Sequence, residues 1–168
     1  MPVTAPKLMI IGRDGILNHF REDHVKEPEE LEPIPGALEA VAQLNHAGWH
    51  VVLATNQGGI GRGLVDMASV NAVHLRLMKM LAAKGGRIDA VFFCPHAPEE
   101  ACDCRKPQPG MMFDIARRYG VKFAPTVLFL DKGGQVRAEA LLGGDSVGLY
   151  GGYLEKRVLQ GLDAAAAH

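Results

Sequence analysis

Apolar runs of strand length alternate with longer stretches of helical periodicity along most of the chain. Four runs predict strands, at Leu8–Ile11, Trp49–Ala54, Ile88–Cys94 and Thr126–Leu130. Three amphipathic stretches between them predict helices, at Ala37–Ala47, Ser69–Lys84 and Met111–Tyr119. Because strand–helix alternation is typical of right-handed βαβ units, we expect an α/β fold, a Rossmann-like three-layer sandwich around a mostly parallel central sheet.

The segment that follows the fourth strand has two interpretations. Gln135–Leu142 stops at two glycines, and we expect it to form a short helix. Alternatively, Pro125–Leu142 forms a β-hairpin whose turn is Asp131-Lys132-Gly133-Gly134.

Composition excludes several broad classes of function. The chain has 168 residues, 48% of them hydrophobic and 22% charged, which predicts a single globular domain over residues 1–168. The net charge of −1 gives no basic field that would favour nucleic acid. No apolar run reaches the length of a membrane span, and the first residues lack a signal-peptide pattern. We therefore expect a cytoplasmic monomer that binds neither membrane nor nucleic acid.

Polar motifs come directly after three of the predicted strands. They are Gly12-Arg13-Asp14-Gly15, Thr55-Asn56-Gln57-Gly58-Gly59 and Asp131-Lys132. Ligands of parallel sheets bind at this carboxyl edge. The Thr55 hydroxyl and the backbone amides of the Gly-rich turn suit a phosphate, although the same residues also make a plain turn. The Asp131 carboxylate suits Mg²⁺, with a helix or turn cap as the alternative.

Two cations precede a rigid turn that begins the third helix, in Arg105-Lys106-Pro107-Gln108-Pro109-Gly110. Lys106 can neutralise a phosphate as a point charge, and Arg105 can bind two of its oxygens. The alternative interpretation is a solvated basic turn. That alternative does not explain why the pair directly follows the chain's three cysteines.

All three cysteines fall within one short loop together with a histidine. The two arms are Cys94-Pro95-His96 and Cys102-Asp103-Cys104. Three thiolates and one imidazole form a closed tetrahedral zinc set, with no open position for water. We expect a structural zinc site that fixes the positions of Arg105 and Lys106; three free cysteines in a loop are the alternative.

Taken together, these motifs resemble those of the haloacid dehalogenase (HAD) superfamily of phosphatases. More narrowly, they are similar to the D-glycero-D-manno-heptose-1,7-bisphosphate phosphatases and their histidinol-phosphatase relatives. Besides the motifs above, the likeness includes Asn18 and Gly61-Arg62-Gly63. The resemblance implies a cap-less Rossmann-like domain, Mg²⁺-dependent hydrolysis of phosphomonoesters through an aspartyl-phosphate, and a place in lipopolysaccharide heptose biosynthesis.

The resemblance also implies a role for each matching residue. Asp14 would be the general acid/base and would lie at the Mg²⁺ site with Asp131. Thr55 and Lys106 would bind the transferring phosphoryl group. The remaining substrate contacts would come from Asn56, Gln57, Arg62, Arg105 and Lys132.

Three positions depart from the family pattern. Gly12 stands where the family has the aspartate that attacks phosphorus and binds Mg²⁺. Gln135 replaces a second acidic residue, and Leu130 replaces a glycine. Losing the attacking carboxylate removes the covalent route and weakens the Mg²⁺ site. We therefore expect a pseudoenzyme that binds a phosphorylated sugar, binds Mg²⁺ weakly or not at all, and hardly turns its ligand over.

Three alternatives stay open at the level of sequence. The chain could be an active phosphatase in which Asp14 activates water for direct attack. It could be an interaction or scaffold protein whose pocket has no ligand. Gly12 could also be an engineered change in an active enzyme.

Overall fold

The computed structural model describes residues 6–121, together with the backbone of residues 126–130 and 136–141. Residues 6–121 contain three strands, β1 (Leu8–Ile11), β2 (His50–Asn56) and β3 (Ala90–Cys94). They also contain three α-helices and one 3-10 turn, at α1 (Ala37–His46), α2 (Met67–Ala83), α3 (Gly110–Tyr119) and Pro28–Glu30.

The three strands form a parallel sheet with β2 in the centre. β1 pairs with β2 from Leu8 opposite His50, and β2 pairs with β3 from Val52 opposite Ala90. The continuous apolar run in β2 reflects this position, because a central parallel strand is buried on both faces. The predicted α/β fold with a parallel sheet is confirmed.

Alternate residues of β2 contribute to two separate cores. Val51 and Leu53 pack with buried residues of α1 and α2, and Val52 and Ala54 pack with buried residues of α3. The helical contributions are Leu38 and Val41 from α1, Val73, Leu77 and Leu81 from α2, and Met111 and Ile115 from α3. The sheet therefore lies between two helical layers, as the three-layer prediction requires.

Local signals explain where the elements differ from their predicted bounds. Helix α2 begins two residues earlier than predicted, because the Asp66 side chain caps it by accepting a hydrogen bond of 2.7 Å from the Ser69 amide. Helix α3 ends at Tyr119, as predicted, and is followed by a left-handed C-cap at Gly120, whose φ is 64°. Strand β2 continues to Asn56, so Thr55 and Asn56 lie within the strand rather than after it.

The predicted helix at Gln135–Leu142 is wrong, and the hairpin alternative is right. Strands β4 (Thr126–Leu130) and β5 (Val136–Leu141) pair antiparallel, from Thr126 opposite Leu141. The physical reason is visible in the sequence: in β5, apolar and charged residues alternate with the period of a strand. The predicted turn, including Asp131 and Lys132, lies outside the described residues.

The chain divides into two compact units, residues 1–121 and residues 122–168. Whether both belong to the predicted single domain stays a prediction. Within the part of the chain that is described, no helix combines the length and the apolar character needed to cross a bilayer.

Candidate functional site

The carboxyl edge of the parallel sheet gathers most of the polar residues predicted from sequence. Gly12 directly follows β1, Thr55 and Asn56 end β2, and Cys94 ends β3. Parallel strands place these ends side by side. Two predicted site residues, Asp131 and Lys132, lie outside the described residues, so their roles stay predictions.

Position 12 faces the side chain of Lys106. A Cβ added at Gly12 would lie 3.6 Å from Lys106 Nζ and 3.3 Å from Cγ1 of Ile16. The backbone of Gly12 is not in the left-handed region that favours glycine. No conformational requirement therefore explains the glycine, and a side chain at this position would point toward a cation.

Asp14 is held by donors from three side chains. Arg13 donates to Oδ1 through Nε at 3.1 Å, and its Nη2 lies 3.0 Å and 3.1 Å from the two carboxylate oxygens. Asn18 donates to Oδ1 and Gln57 to Oδ2, both at 3.0 Å. The carboxylate is thus fixed in orientation, and its charge is largely compensated by the Arg13 guanidinium.

Thr55 belongs to the same hydrogen-bond network. Its hydroxyl oxygen accepts a hydrogen bond of 2.9 Å from Nε2 of Gln57, and the Gln57 Oε1 accepts one of 3.2 Å from Arg13. Both Thr55 and Gln57 are buried, each with 3% of its surface exposed. The Gln57 amide is therefore occupied within the protein, where it links Asp14 to Thr55.

Asn56 fixes the backbone of Lys106. Its side-chain amide donates to the Lys106 carbonyl, and its Oδ1 accepts from the Lys106 amide, both at 3.0 Å. Burial lowers the pKa of Lys106, an effect that the Asp14 charge partly opposes. Within residues 6–121, the Nζ of Lys106 has no hydrogen-bond or ion-pair partner. Among the residues that the structure describes, this half-buried cation is thus held in place with its donors available to an anion.

The two predicted arginines differ in their surroundings. Arg105 donates through Nη1 to the backbone carbonyl of His96 at 3.2 Å, and its Nη1 lies 3.0 Å from a Cβ placed on Gly58. Arg105 therefore lies between the Gly-rich turn and the loop of residues 94–104, which we call the cysteine loop. Arg62 forms an exposed ion pair of 2.7 Å with Glu99, a type of contact that stabilises little.

The predicted metal ligands come together at the end of β3. The ligand atoms of Cys94, His96, Cys102 and Cys104 all lie within 4.8 Å of one another. Cys94 Sγ is 3.5 Å from His96 Nδ1, 3.7 Å from Cys102 Sγ and 3.2 Å from Cys104 Sγ. Bond lengths of tetrahedral zinc place S and N ligands roughly 3.5–3.8 Å apart. The residues therefore fit a closed tetrahedral metal ion.

The cysteine loop also contacts the loop that carries Arg62. The Gly61 amide donates to the Pro95 carbonyl at 2.8 Å. A Cβ at Gly61 would lie only 3.0 Å from that carbonyl oxygen and would overlap Glu100 Oε2. Glycine is thus required at position 61 by close approach, and the cysteine loop supports both cation-bearing segments.

Sequence reasoning missed Arg13 and His74 as parts of the site. Arg13 is 1% exposed, and its Nη1 lies 3.2 Å from Nε2 of His74, which is 6% exposed. Sequence alone favours a surface or helix face for His74, without a role. A signal was present, since Val70, His74, Leu77 and Leu81 follow a helical repeat of four and three residues, the spacing of the buried stripe of α2.

Comparisons with known proteins agree with this fold. D-glycero-β-D-manno-heptose-1,7-bisphosphate 7-phosphatase of Bordetella bronchiseptica is 52% identical over 118 residues, 70% of this chain and 66% of that protein. The enzyme of the same name from Pseudomonas putida is 40% identical over 156 residues, 93% of this chain and 89% of its own length.

A crystal structure of the B. bronchiseptica D,D-heptose 1,7-bisphosphate phosphatase, complexed with magnesium and phosphate, superposes with a TM-score of 0.69. This alignment has 52% identity and covers 70% of this chain and 66% of that one. No family model matches the chain.

Fold and polar sheet edge together define a HAD-like phosphatase scaffold. With relatives of this identity and coverage, the chain belongs to the D-glycero-β-D-manno-heptose-1,7-bisphosphate 7-phosphatase family.

Proposed function

We propose that this chain binds a heptose bisphosphate or a similar sugar phosphate at the carboxyl edge of its sheet and hydrolyses it very slowly. Heptose 1,7-bisphosphate is the substrate that its relatives' names give. The observation that carries the proposal is that a side chain at position 12 would point toward Lys106, with its Cβ 3.6 Å from the ammonium nitrogen. Gly12 thus leaves the attacking position without a nucleophile.

The charges of the described site favour an anionic ligand. Lys106 is unpaired within residues 6–121, whereas Asp14 is compensated by Arg13. A phosphate oxygen about 4 Å from an ammonium is attracted by about 4 kcal/mol at the effective dielectric of a partly buried site, before desolvation is subtracted. Removing the carboxylate at position 12 also removes its repulsion of the phosphate. Lys106 and the Thr55 hydroxyl are the proposed phosphoryl contacts.

Asn56 and Gln57 have positioning roles in this proposal. Asn56 orients the Lys106 backbone, and Gln57 links Asp14 to Thr55. Arg105 and Arg62 are the proposed contacts to the remainder of the sugar phosphate. Arg62 must leave its exposed Glu99 partner to make such a contact, at little cost.

Zinc is the metal that we propose for the cysteine loop. Three sulfurs and one imidazole nitrogen match its preferred ligands and leave no catalytic position open. Burial, reinforced by hydrogen bonds to the neighbouring cysteines, raises the pKa of the Cys104 thiol to about 12. A cation among these sulfurs would favour the thiolate instead. Its proposed contribution is structural, holding the loop from which Arg105 and Lys106 extend.

The described residues do not fit a strong Mg²⁺ site. Gly12 has no oxygen to offer from a side chain, and the two oxygens of Asp14 already accept from Arg13, Asn18 and Gln57. Mg²⁺ prefers six oxygen ligands at short distance. This chain is therefore proposed to bind Mg²⁺ weakly or not at all.

Calorimetry and a phosphate-release assay test the proposal together. The unmodified protein, with zinc, is titrated with D-glycero-β-D-manno-heptose 1,7-bisphosphate and, as a control, with the unphosphorylated heptose. We expect binding of the bisphosphate alone, with phosphate release at least about 1,000-fold slower than that of the B. bronchiseptica relative, since removing a nucleophile typically costs more than this. Absence of binding, or turnover near that of the relative, would overturn the proposal.

A further inference from the structure

Arg13 is the central residue of a buried polar network, and the family resemblance assigns a role to neither Arg13 nor His74. A guanidinium has five N–H donors and no acceptor. Here Nε and Nη2 are directed at Asp14, Nη2 also at Gln57 Oε1, and Nη1 at His74 Nε2. Burying such a group is costly unless its donors are satisfied. Each of these three partners therefore matters for the orientation of Arg13.

The contact with Arg13 Nη1 determines the protonation state and the tautomer of His74. Because Arg13 can only donate, Nε2 of His74 must be the unprotonated acceptor, and the proton of the neutral ring lies on Nδ1. Burial, followed by the Arg13 charge, lowers the pKa of His74 to about 4. The imidazole is thus neutral near pH 7, as the hydrogen bond requires. His74 lies on α2, whereas Arg13 and Asp14 follow β1.

We propose that His74 is a positioning residue, whose neutral imidazole fixes the Arg13 guanidinium in the orientation that holds Asp14 and Gln57. Helix α2 thereby sets the direction of the Asp14 carboxylate through two contacts. His74 Nε2 lies 3.2 Å from Arg13 Nη1, and Arg13 Nη2 lies 3.0 Å from Asp14 Oδ1. Without His74, Nη1 loses its acceptor at this point, and the guanidinium can rotate away from Asp14. The consequence for catalysis, with Asp14 as the acid/base that the family resemblance implies, rests on the proposed function. The contact between His74 and Arg13 does not.

The first test needs no catalysis. Nitrogen-15 NMR of the unmodified, zinc-loaded protein identifies which ring nitrogen of His74 carries the proton and whether the Arg13 N–H protons are protected from exchange. We expect a neutral ring protonated on Nδ1 at pH 7, and slowly exchanging Arg13 protons. A proton on Nε2, or rapidly exchanging Arg13 protons, would overturn the proposal without any variant.

A matched pair of variants tests the orienting role. His74→Gln keeps an acceptor, and His74→Leu keeps only an apolar volume. Exchange of the Arg13 N–H protons is expected to speed up about tenfold or more in His74→Leu and to stay near the unmodified rate in His74→Gln. Equal protection in both variants would contradict the proposal. If His74→Leu does not fold, the tautomer in the unmodified protein and the protection in His74→Gln still decide the matter.

Kinetics in the Gly12→Asp background separate this inference from the proposed function. There, His74→Leu is expected to lower kcat about tenfold with little change in KM, and His74→Gln to restore most of it, as for other residues that orient a functional group. Equal effects of Leu and Gln on kcat would count against positioning. If Gly12→Asp gains no activity, position 12 does not limit turnover, and the NMR result alone decides on His74.

Discussion

We predict that substituting Gly12 by aspartate greatly raises the rate at which this chain hydrolyses heptose 1,7-bisphosphate. The backbone at position 12 tolerates a side chain, because its φ lies outside the left-handed region. The new Cβ would lie 3.6 Å from Lys106 Nζ and 3.3 Å from Ile16 Cγ1. The second contact requires Ile16, which is 54% exposed, to move by a few tenths of an ångström. The carboxylate would then lie beside the proposed phosphate position.

The size of the effect follows from this geometry. Opposite charges 4 Å apart attract by about 4 kcal/mol at an effective dielectric of 20. The new carboxylate should therefore raise the pKa of Lys106, which burial now lowers. Since a nucleophile opens the covalent route, we expect kcat to rise by about 1,000-fold or more. The free energy of unfolding should change by no more than about 1 kcal/mol.

The assay is phosphate release from heptose 1,7-bisphosphate in the presence of Mg²⁺. Gly12→Asn is the matched control, because it has nearly the same shape but no attacking carboxylate. We expect a large gain in kcat for the aspartate variant and none for the asparagine variant. If both variants fold, bind substrate and stay equally slow, position 12 does not limit activity, and several positions of the pocket must have lost function.

Three further predictions address the cations, the metal and pH. Lys106→Met should weaken calorimetric binding of the bisphosphate about 10- to 100-fold, and Lys84→Met, which removes an exposed ion pair with Glu39, should not; equal losses would contradict a specific phosphate contact. The purified protein should contain one zinc per chain by elemental mass spectrometry, and Cys104→Ser should lose it along with several degrees of Tm; a metal-free but equally stable protein would refute the structural role. The pKa of His74 is about 4 in the folded protein, against an ordinary value of 6.5. As the pH drops, the unfolded chain therefore binds a proton at His74 before the folded chain does. The free energy of unfolding should consequently fall by up to roughly 3 kcal/mol between pH 6.5 and pH 4. The free energy of unfolding, measured with denaturant across that pH range, should depend less steeply on pH in His74→Gln. An unchanged pH dependence would be contrary evidence.

The sequence contained enough information for the parallel sheet and the metal cluster. Strand β2 is apolar at every position from Val51 to Ala54, which is the pattern of a strand buried on both faces. Four ligand-type side chains in one short loop are rare by chance and point to one metal. The helix predicted over Gln135–Leu142 is wrong because a glycine pair after the segment suggested a helix end, although the residues of Val136–Leu141 alternate as in a strand.

Contacts between distant residues were the part that sequence could not provide. The family resemblance implies substrate contacts for Asn56 and Gln57, and the structure adds that their amides are directed at Lys106, Asp14 and Thr55. A family motif shows that such residues belong to a site, and it does not show whether they face the ligand or its neighbours. The Arg13–His74 contact joins residues 61 positions apart, beyond the reach of any local pattern.

Trapping a phosphorylated protein tests most directly whether this chain lacks a nucleophile. The unmodified chain is mixed with excess heptose 1,7-bisphosphate and Mg²⁺, quenched in acid within milliseconds to seconds, and weighed intact by mass spectrometry. Gly12→Asp serves as the positive control for trapping. We predict a phosphoryl adduct in the variant and none in the unmodified chain. A stoichiometric adduct on the unmodified chain would show that another side chain attacks phosphorus, in contradiction to the account.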